Sequence, residues 1–227
     1  MPISCIVPAR NEAGHLRNVI TEISSISEIS EIIIVEGGSS DNTYGVALEL
    51  SNENPALLKV LQQTGKGKFD AVLIGSKECK NDLVMIWDAD GTVSLKSTLE
   101  IISVALQTNL PVIGNRLKGR REKGAMQFAN YLGNWFFAIL WAPILHGTIS
   151  DLLCGTKIFP KSTFLNISPS IIKLDPYGDF SLLFTAIIQR FQVVSIPVEY
   201  GARKYGITNI KRWSGGLKLL KFTLIAY

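Results

Sequence analysis

Runs of apolar residues alternate with amphipathic segments along the first half of the chain. Strand-like runs recur at residues 3–7, 31–36, 57–61, 83–88 and 111–115. Apolar residues at helical spacing predict helices between them, at roughly 12–24, 41–52, 68–79 and 97–108. This alternation predicts an α/β fold with a mostly parallel, Rossmann-like sheet and helices on both faces. Because ligands of such folds bind beyond the carboxyl ends of the strands, we expect the site in the loops that follow them.

The pattern changes after residue 115. A dense basic run at residues 116–123 is followed by residues 125–149, which contain no Asp, Glu, Lys or Arg. Polar and helix-breaking residues interrupt this uncharged stretch, so its strongly apolar part is only residues 135–145. That length is typical of a buried or interfacial helix and argues against a transmembrane span.

The C-terminal segment, residues 200–227, has six basic side chains and no acidic one. Trp213, Leu217, Leu220 and Leu224 follow helical spacing, whereas Lys211, Lys218 and Lys221 fall on another face. Such a helix suits a membrane surface rich in anionic lipid. A helix packed on the domain, with its lysines in solvent, explains the pattern equally well.

Composition narrows the class of protein. The chain of 227 residues is long enough for one large α/β domain. Cys5, Cys79 and Cys154 lie far apart, which indicates a reducing compartment and argues against a disulfide framework or a zinc site. The only histidines are His15 and His146, so histidine-based catalysis is not expected. A strand-like run begins at the N-terminus and leaves no room for a signal peptide, so we expect a cytoplasmic protein.

The net charge of +4 hides an asymmetry. Residues 1–100 hold 8 Lys/Arg and 14 Asp/Glu, whereas residues 101–227 hold 15 and 5. An acidic part can hold a metal ion, and a basic part can hold phosphate or lie on an anionic membrane. Chance segregation of surface charge is the alternative explanation.

The most informative segment is residues 83–90, which read Leu-Val-Met-Ile-Trp-Asp-Ala-Asp. The run predicts a strand that buries Val84–Trp87 and delivers Asp88 and Asp90 to the carboxyl edge of the sheet, both on the same side. Two converging carboxylates suit a hard cation, Mg²⁺ or Mn²⁺, that carries phosphate oxygens. A strand followed by a polar turn would explain Asp90 but not Asp88.

Four segments resemble the motifs of family 2 glycosyltransferases, in the same order. They are IVPARNE at 6–12, IIVEGGSSDNT at 33–43, GKG followed by Ala71 at 65–71, and DAD at 88–90. Three later segments are similar to the dolichyl-phosphate mannose synthase-like branch. They are DLLCGTK at 151–157, GDF at 178–180 and the stretch 203–213.

The resemblance implies a GT-A fold, a divalent metal and an inverting transfer of sugar from a nucleotide diphosphate. It places Pro8, Ala9 and Glu12 in the nucleoside pocket together with Glu36 and Asp41. It also places Asp88 and Asp90 on the ribose–pyrophosphate and the metal. The chain departs from the family at residues 36–37, where Glu-Gly replaces Asp-Asp, which leaves the nucleotide, GDP or UDP, open.

Transfer also requires charge stabilisation on the departing diphosphate and recognition of the acceptor. Lys66 and Lys68 lie near the expected donor, and further basic residues are Arg116, Arg120, Arg121, Arg203 and Arg212. A hydroxyl acceptor needs a general base, and the resemblance places Asp179 there. An anionic lipid phosphate needs none and depends on arginines instead. Asp179 also suits a helix N-terminus, where an acid is favoured by the dipole.

We therefore expect one GT-A domain spanning residues 1–227, with a nucleotide-sugar half at 1–115 and an acceptor-binding, membrane-proximal half at 116–227. The expected activity is metal-dependent sugar transfer to a polyprenyl phosphate, on the cytoplasmic face of a membrane. The alternatives are transfer to a glycan or glycolipid hydroxyl with Asp179 as base, and a non-catalytic sugar-nucleotide-binding protein. A nucleotidyltransferase is less consistent with the 6–12 and 33–43 segments, and no nucleic-acid recognition module is recognisable.

Overall fold

The computed structural model describes residues 1–145, 147, 149–175, 177–205 and 212–227, except the side chains of Arg212 and Trp213. Within this part, seven strands form one sheet. They are β1 (Ile3–Ala9), β2 (Ile29–Glu36), β3 (Leu58–Gln62), β4 (Leu83–Ile86), β5 (Val112–Asn115), β6 (Lys157–Pro160) and β7 (Val194–Pro197).

The described residues also form nine helices. They are α1 (Ala13–Ser24), α2 (Thr43–Glu53), α3 (Lys68–Glu78), α4 (Leu95–Thr108), α5 (Phe128–Trp141), α6 (Lys161–Leu165), α7 (Pro169–Ile172), α8 (Asp179–Ile188) and α9 (Arg212–Ala226). Amphipathic spacing is clearest in α1 and α4. In α1, for example, Leu16, Val19, Ile20 and Ile23 form one buried stripe.

The strand order is β3-β2-β1-β4-β6-β5-β7. Strands β1 to β4 are mutually parallel, and β6 runs antiparallel to both of its neighbours. The chain moves from β1 to β3 in one direction and then returns to β4 on the other side of β1. Right-handed crossovers therefore put α1 and α2 on one face and α3 on the other. The gap between the carboxyl ends of β1 and β4 is the topological switch point, where ligands bind in open α/β sheets.

The α/β class and the alternating elements of residues 1–115 are confirmed. The predicted strand at 83–88 is two residues too long, because β4 ends at Ile86, although Val84–Trp87 are buried as predicted. Strands β6 and β7 were not predicted, since they lie beyond residue 115, outside the alternation that identified the equally short β4 and β5.

The uncharged stretch forms α5, and the C-terminal segment forms α9. Both pack against α8 through aromatic side chains, with Trp141 in contact with Phe180 and Phe222. No helix of the described residues is long and apolar enough to cross a membrane. His146 and Lys211 lie outside the described residues, as do the side chains of Arg212 and Trp213.

Candidate active site

The loops after β1 and β4 meet at the switch point, where one arginine joins them. Arg203, in the segment after β7, donates from Nη1 to Asp90 Oδ2 at 3.1 Å, and its Nη2 pairs with Glu12 Oε1. Its Nε donates to the Tyr205 carbonyl at 2.8 Å, which fixes the guanidinium between the two carboxylates. Residues from three distant parts of the chain therefore form one charged cluster.

Asp88 lies beside this cluster but has a different cationic partner. Its Oδ1 pairs with Lys68 Nζ, on the first residue of α3. Burial opposes the ionisation of Asp88, but Lys68 outweighs it and holds the pKa of the carboxyl below its ordinary value. Gly155 lies directly against this carboxyl, because an ideal Cβ there would be 1.6 Å from Asp88 Oδ2. Asp88 is thus held ionised in a space that only glycine leaves open.

Contrary to the sequence prediction, Asp88 and Asp90 do not owe their positions to alternation along a strand, because β4 ends at Ile86. Both residues follow the end of β4, and the Gly91 N–H donates to the Asp88 carbonyl at 3.2 Å, which makes a turn. Asp90 Oδ1 accepts the Thr92 N–H at 3.2 Å and its hydroxyl at 2.9 Å. The turn brings both carboxylates to the same site, as predicted, but each pairs with its own cation.

Glu12 is buried at the start of α1 and has one free oxygen. Its Oε1 pairs with Arg203, whereas Oε2 has no hydrogen-bond partner among the described residues. Burial raises the pKa of Glu12 to about 7, and Asp90 and Asp88 add to this rise while Arg203 opposes it. A buried oxygen without a partner is costly, so this atom is available to a hydroxyl or a cation from a ligand.

The other predicted nucleotide-binding residues line the same edge of the sheet. Pro8 and Ala9 end β1 beside Glu36, the buried last residue of β2. Glu36 Oε1 accepts the Ser39 N–H at 2.6 Å. Glu36 therefore shapes its own loop, whatever else it binds.

Asp41 holds the start of α1 against the start of α2. Its Oδ2 accepts the Ala13 N–H at 3.2 Å, and its Oδ1 accepts the Thr43 N–H at 3.0 Å. Burial raises the pKa of Asp41, but these hydrogen bonds and that of the Thr43 hydroxyl bring it below its ordinary value. Asp41 precedes Asn42, the N-cap residue of α2, and so holds the first residues of both helices through their N–H groups. Lys66 is exposed in the loop before α3.

Asp179 is the first residue of α8, as the helix-terminus interpretation predicted, and is buried. Its Oδ1 pairs with Lys157 Nζ, on the first residue of β6, and both side chains are nearly inaccessible to solvent. Because β6 runs antiparallel to its neighbours, its first residue lies at their carboxyl edge. Asp179 is therefore in the floor of the site, already bound to a lysine.

The arginines that were expected to bind an acceptor phosphate have different side-chain partners in the structure. Arg116 makes a bidentate pair with buried Asp151, with Nε–Oδ2 2.8 Å and Nη2–Oδ1 2.9 Å, and lies over the Tyr200 ring. Arg121 lies over the Tyr131 ring, and Arg120 is exposed. Asp151 therefore already neutralises Arg116, so an acceptor phosphate would compete there with a buried carboxylate.

Breaking the Arg116–Asp151 pair on one side is expected to be strongly destabilising. Asp151→Asn leaves the buried guanidinium without a counter-charge, which costs about 3–5 kcal/mol of unfolding free energy. Glu53→Gln removes a carboxylate from the exposed pair with Arg17 and should cost less than about 1 kcal/mol. Urea unfolding of both variants at neutral pH measures the difference, and equal effects would contradict the assignment.

The pair also predicts acid sensitivity. Burial raises the pKa of Asp151, but Arg116 outweighs burial and lowers it below its ordinary 3.8. The folded state therefore binds fewer protons than the unfolded state, so this stabilisation is present above pH 3.8 and is lost as the pH falls further. The stability difference between wild type and Asp151→Asn should shrink in acid, and a constant difference would refute the linkage.

The donor set of the site fits a metal that arrives with phosphate. Among the described residues, no group of three His, Cys, Asp or Glu side chains is placed to hold a metal ion. Mg²⁺ is commonly bound by one or two carboxylates plus substrate phosphates rather than by a complete protein cage. Asp88 and Asp90, with the free oxygen of Glu12 nearby, meet this smaller requirement.

Sequence reasoning assigned no role to Asp151, Gly155 or Lys157, although it singled out the segment that contains them. In the structure this segment forms one wall of the site, since its members contact Arg116, Asp88 and Asp179 in turn. The available signal was Gly155 between a carboxylate, Asp151, and a lysine, Lys157. Nothing in the sequence, however, identified their partners.

A profile of glycosyl transferase family 2 matches residues 4–164, which is more than half of the chain. The dolichyl-phosphate beta-glucosyltransferase of Saccharomyces cerevisiae is 27% identical over 87% of this chain and 66% of that protein. The dolichol-phosphate mannosyltransferase of Pyrococcus furiosus is 26% identical over 99% of this chain and 68% of that protein. The chain spans 62–66% of the length of three dolichyl-phosphate beta-glucosyltransferases that it matches.

Among solved structures, glucosyl-3-phosphoglycerate synthase from Mycobacterium tuberculosis, in complex with Mn²⁺, UDP and glucosyl-3-phosphoglycerate, superposes with a TM-score of 0.67. The identity is 17%, and the match covers 99% of this chain and 79% of the other. This likeness confirms the GT-A fold that the resemblance implied. Because the family profile spans β1 to α6, the chain belongs to glycosyl transferase family 2.

Proposed function

We propose that the protein transfers a sugar from a nucleotide diphosphate sugar to a polyprenyl phosphate, with inversion at the anomeric carbon. The similar proteins from yeast and Pyrococcus are named as transferases acting on dolichyl or dolichol phosphate. Residues 1–115 form the donor half in this proposal, and residues 116–227 form the acceptor half. Sugar transfer takes place at the cytoplasmic face of a membrane in this proposal.

The donor occupies the edge of the sheet at β1, β2 and β4. Pro8, Ala9 and Asp41 border the nucleoside, and the free Oε2 of Glu12 accepts a hydrogen bond from a ribose hydroxyl. Asp88 and Asp90 hold Mg²⁺ or Mn²⁺, which when bound neutralises charge on the departing diphosphate. The nucleotide is UDP or GDP.

The acceptor is proposed to be a phosphate because the candidate base for a hydroxyl acceptor, Asp179, is buried and already paired with Lys157. In the reaction, an acceptor phosphate oxygen forms the new bond to the anomeric carbon while the bond to the donor diphosphate breaks. The diphosphate leaves with the electron pair, and no proton has to be removed from the phosphate. Arg203 and Lys68, at the donor site, favour both the incoming and the departing anion.

The observation that carries this proposal is the Arg203 bridge between Glu12 and Asp90, which joins donor and acceptor halves at the switch point. A thermal-shift screen of UDP- and GDP-sugars, with and without Mn²⁺, tests donor binding directly. A ligand that binds only the native state raises the midpoint of thermal unfolding. At a ligand concentration of 100 times Kd, the native state is stabilised by about 2.7 kcal/mol. Absence of a shift with every nucleotide sugar would refute the donor site.

Two substitutions distinguish the lipid phosphate from a hydroxyl acceptor. Arg203→Ala should reduce transfer to polyprenyl phosphate by at least about 10²-fold, because a charge-assisted contact to an anion is lost. Arg17→Ala is the matched control, since Arg17 also pairs with two carboxylates but lies exposed on α1. Asp179→Asn should reduce transfer less than Arg203→Ala does, and both rates are measured with a radiolabelled donor.

A general base at Asp179 predicts the reverse order, since its loss typically costs about 10²–10⁴ in rate. Asp179→Asn also leaves buried Lys157 without its partner, so a folding defect must be separated from a catalytic one. The double variant Lys157→Met/Asp179→Leu removes both charges together. Activity retained in this variant excludes the base, whereas a folded but inactive double variant with an active Arg203→Ala would exclude the phosphate acceptor.

A further inference from the structure

Helices α5 and α9 both turn large apolar side chains toward solvent. On α5, Trp135 is 54% exposed and Ile139 is 51% exposed; on α9, Leu217 is 70% exposed and Leu224 is 72% exposed. The remaining exposed apolar residues of these helices and the C-terminus are Phe128, Leu132, Phe136, Ile225 and Tyr227. We call these nine side chains the outer face. Patches of this kind on a folded protein mark interaction sites.

The inner sides of the two helices are fixed, so the outer face is not a product of loose packing. Trp141 Nε1 donates to Thr223 Oγ1 at 2.9 Å, in the buried contact between α5 and α9. At the surface, the Tyr227 hydroxyl donates to the Leu140 carbonyl and ties the end of the chain to α5. The two apolar surfaces therefore belong to one rigid helix pair.

Basic side chains outnumber acidic ones around the outer face; the acidic residue in the run before α5 is Glu122, whose Oε2 accepts the Ala202 N–H. Lys218 and Lys221 are exposed on α9, between the exposed leucines along the chain, and Arg121 and Lys123 are exposed shortly before α5. Neither helix contains an acidic residue. Aromatic and aliphatic side chains mixed with lysines are the composition that binds the interface of an anionic bilayer.

We propose that the outer face is the surface by which the protein docks on an anionic lipid bilayer, with α5 and α9 lying at the interface together. The inference rests on the proposed function, because a lipid phosphate reaches the site only from a membrane. Docking is assigned to both helices, α5 and α9, rather than to the C-terminal segment alone. A second copy of the chain is a poorer occupant, since a symmetric contact would bring the lysines of both copies together.

Sedimentation with vesicles of phosphatidylcholine and phosphatidylserine tests the docking surface. Lys218→Glu/Lys221→Glu should weaken binding by about 30-fold, at about fivefold for each basic residue lost. The control is Lys77→Glu/Lys80→Glu, because Lys77, near the end of α3, and Lys80, just after it, are both exposed. This double variant changes the net charge as much as Lys218→Glu/Lys221→Glu does and should bind vesicles as the wild type does. Trp135→Ser should weaken binding by about tenfold, whereas Leu48→Ser, on exposed α2, should not.

Equal loss in the two double-lysine variants would show that net charge alone drives binding and would overturn the proposal. So would wild-type binding by Trp135→Ser, or failure of the wild type to bind. Dimers that Trp135→Ser disperses in analytical ultracentrifugation would assign the outer face to a second copy instead. Vesicle binding needs no turnover, and activity can be measured with a short, water-soluble polyprenyl phosphate, so failure of docking and failure of the proposed function are distinguishable.

Discussion

Asp90→Asn is expected to abolish sugar transfer while leaving the fold intact. Asp90 follows β4, accepts hydrogen bonds from Thr92 and pairs with Arg203. Asparagine can keep the geometry of the side chain but removes the charge that holds Arg203 and the proposed metal. Because metal stabilisation of a departing phosphate is worth several kcal/mol, the rate should fall by about 10³-fold or more.

Asp82→Asn is the matched control for this substitution. Asp82 is an exposed carboxylate just before β4, at the opposite end of the same strand. Both variants should keep the unfolding midpoint of wild type, and only Asp90→Asn should lose transfer in a radiolabelled-donor assay. Full activity of Asp90→Asn, or of wild-type protein after chelator treatment, would show that the metal argument is wrong.

The second large effect is expected from Gly155→Ala. Gly155 is needed for space rather than for an unusual backbone, since an added Cβ would lie 1.6 Å from Asp88 Oδ2. The carboxyl must therefore move, which disturbs its pair with Lys68. A displacement of about 1 Å in a catalytic group can cost about 10²-fold in rate, and we expect a loss of at least that size.

Donor binding separates this effect from a general loss of stability. Gly155→Ala should abolish the thermal shift produced by a nucleotide sugar with Mn²⁺. Gly133→Ala adds the same methyl group inside α5, where nothing lies within 4 Å, and should leave the shift unchanged. It should even stabilise the fold by about 0.5–1 kcal/mol, because alanine is the better helix former. A normal donor-induced shift in Gly155→Ala would contradict the assigned contact with Asp88.

The elements of the first 115 residues were predictable because apolar runs and helical segments alternate regularly there, so that even the four-residue β4 and β5 are recognisable. The edge of the sheet where Glu12, Glu36, Asp88 and Asp90 lie follows from that alternation alone. The alternation ends after residue 115, so the short strands β6 and β7 were not identified, and neither was the antiparallel direction of β6. That direction is what brings Lys157 to the site.

The partners of the charged residues could not be predicted for a related reason. Arg116 and Asp151 are 35 residues apart and meet only because β5 and β6 are neighbours in the sheet. A basic run in a sequence does not show which arginine is already neutralised by a buried acid. The apolar pattern of residues 135–145 likewise did not show that Trp141 lies in the core whereas Trp135 is exposed.

The most direct test of the proposed function is a comparison of polyprenyl phosphate with the corresponding polyprenol. Both acceptors have the same hydrocarbon chain and differ only in the phosphate. With a radiolabelled nucleotide sugar and Mn²⁺, we expect a lipid-linked product from the phosphate and none from the alcohol. A product formed from the alcohol and not from the phosphate, or donor binding without any transfer, would contradict the proposal.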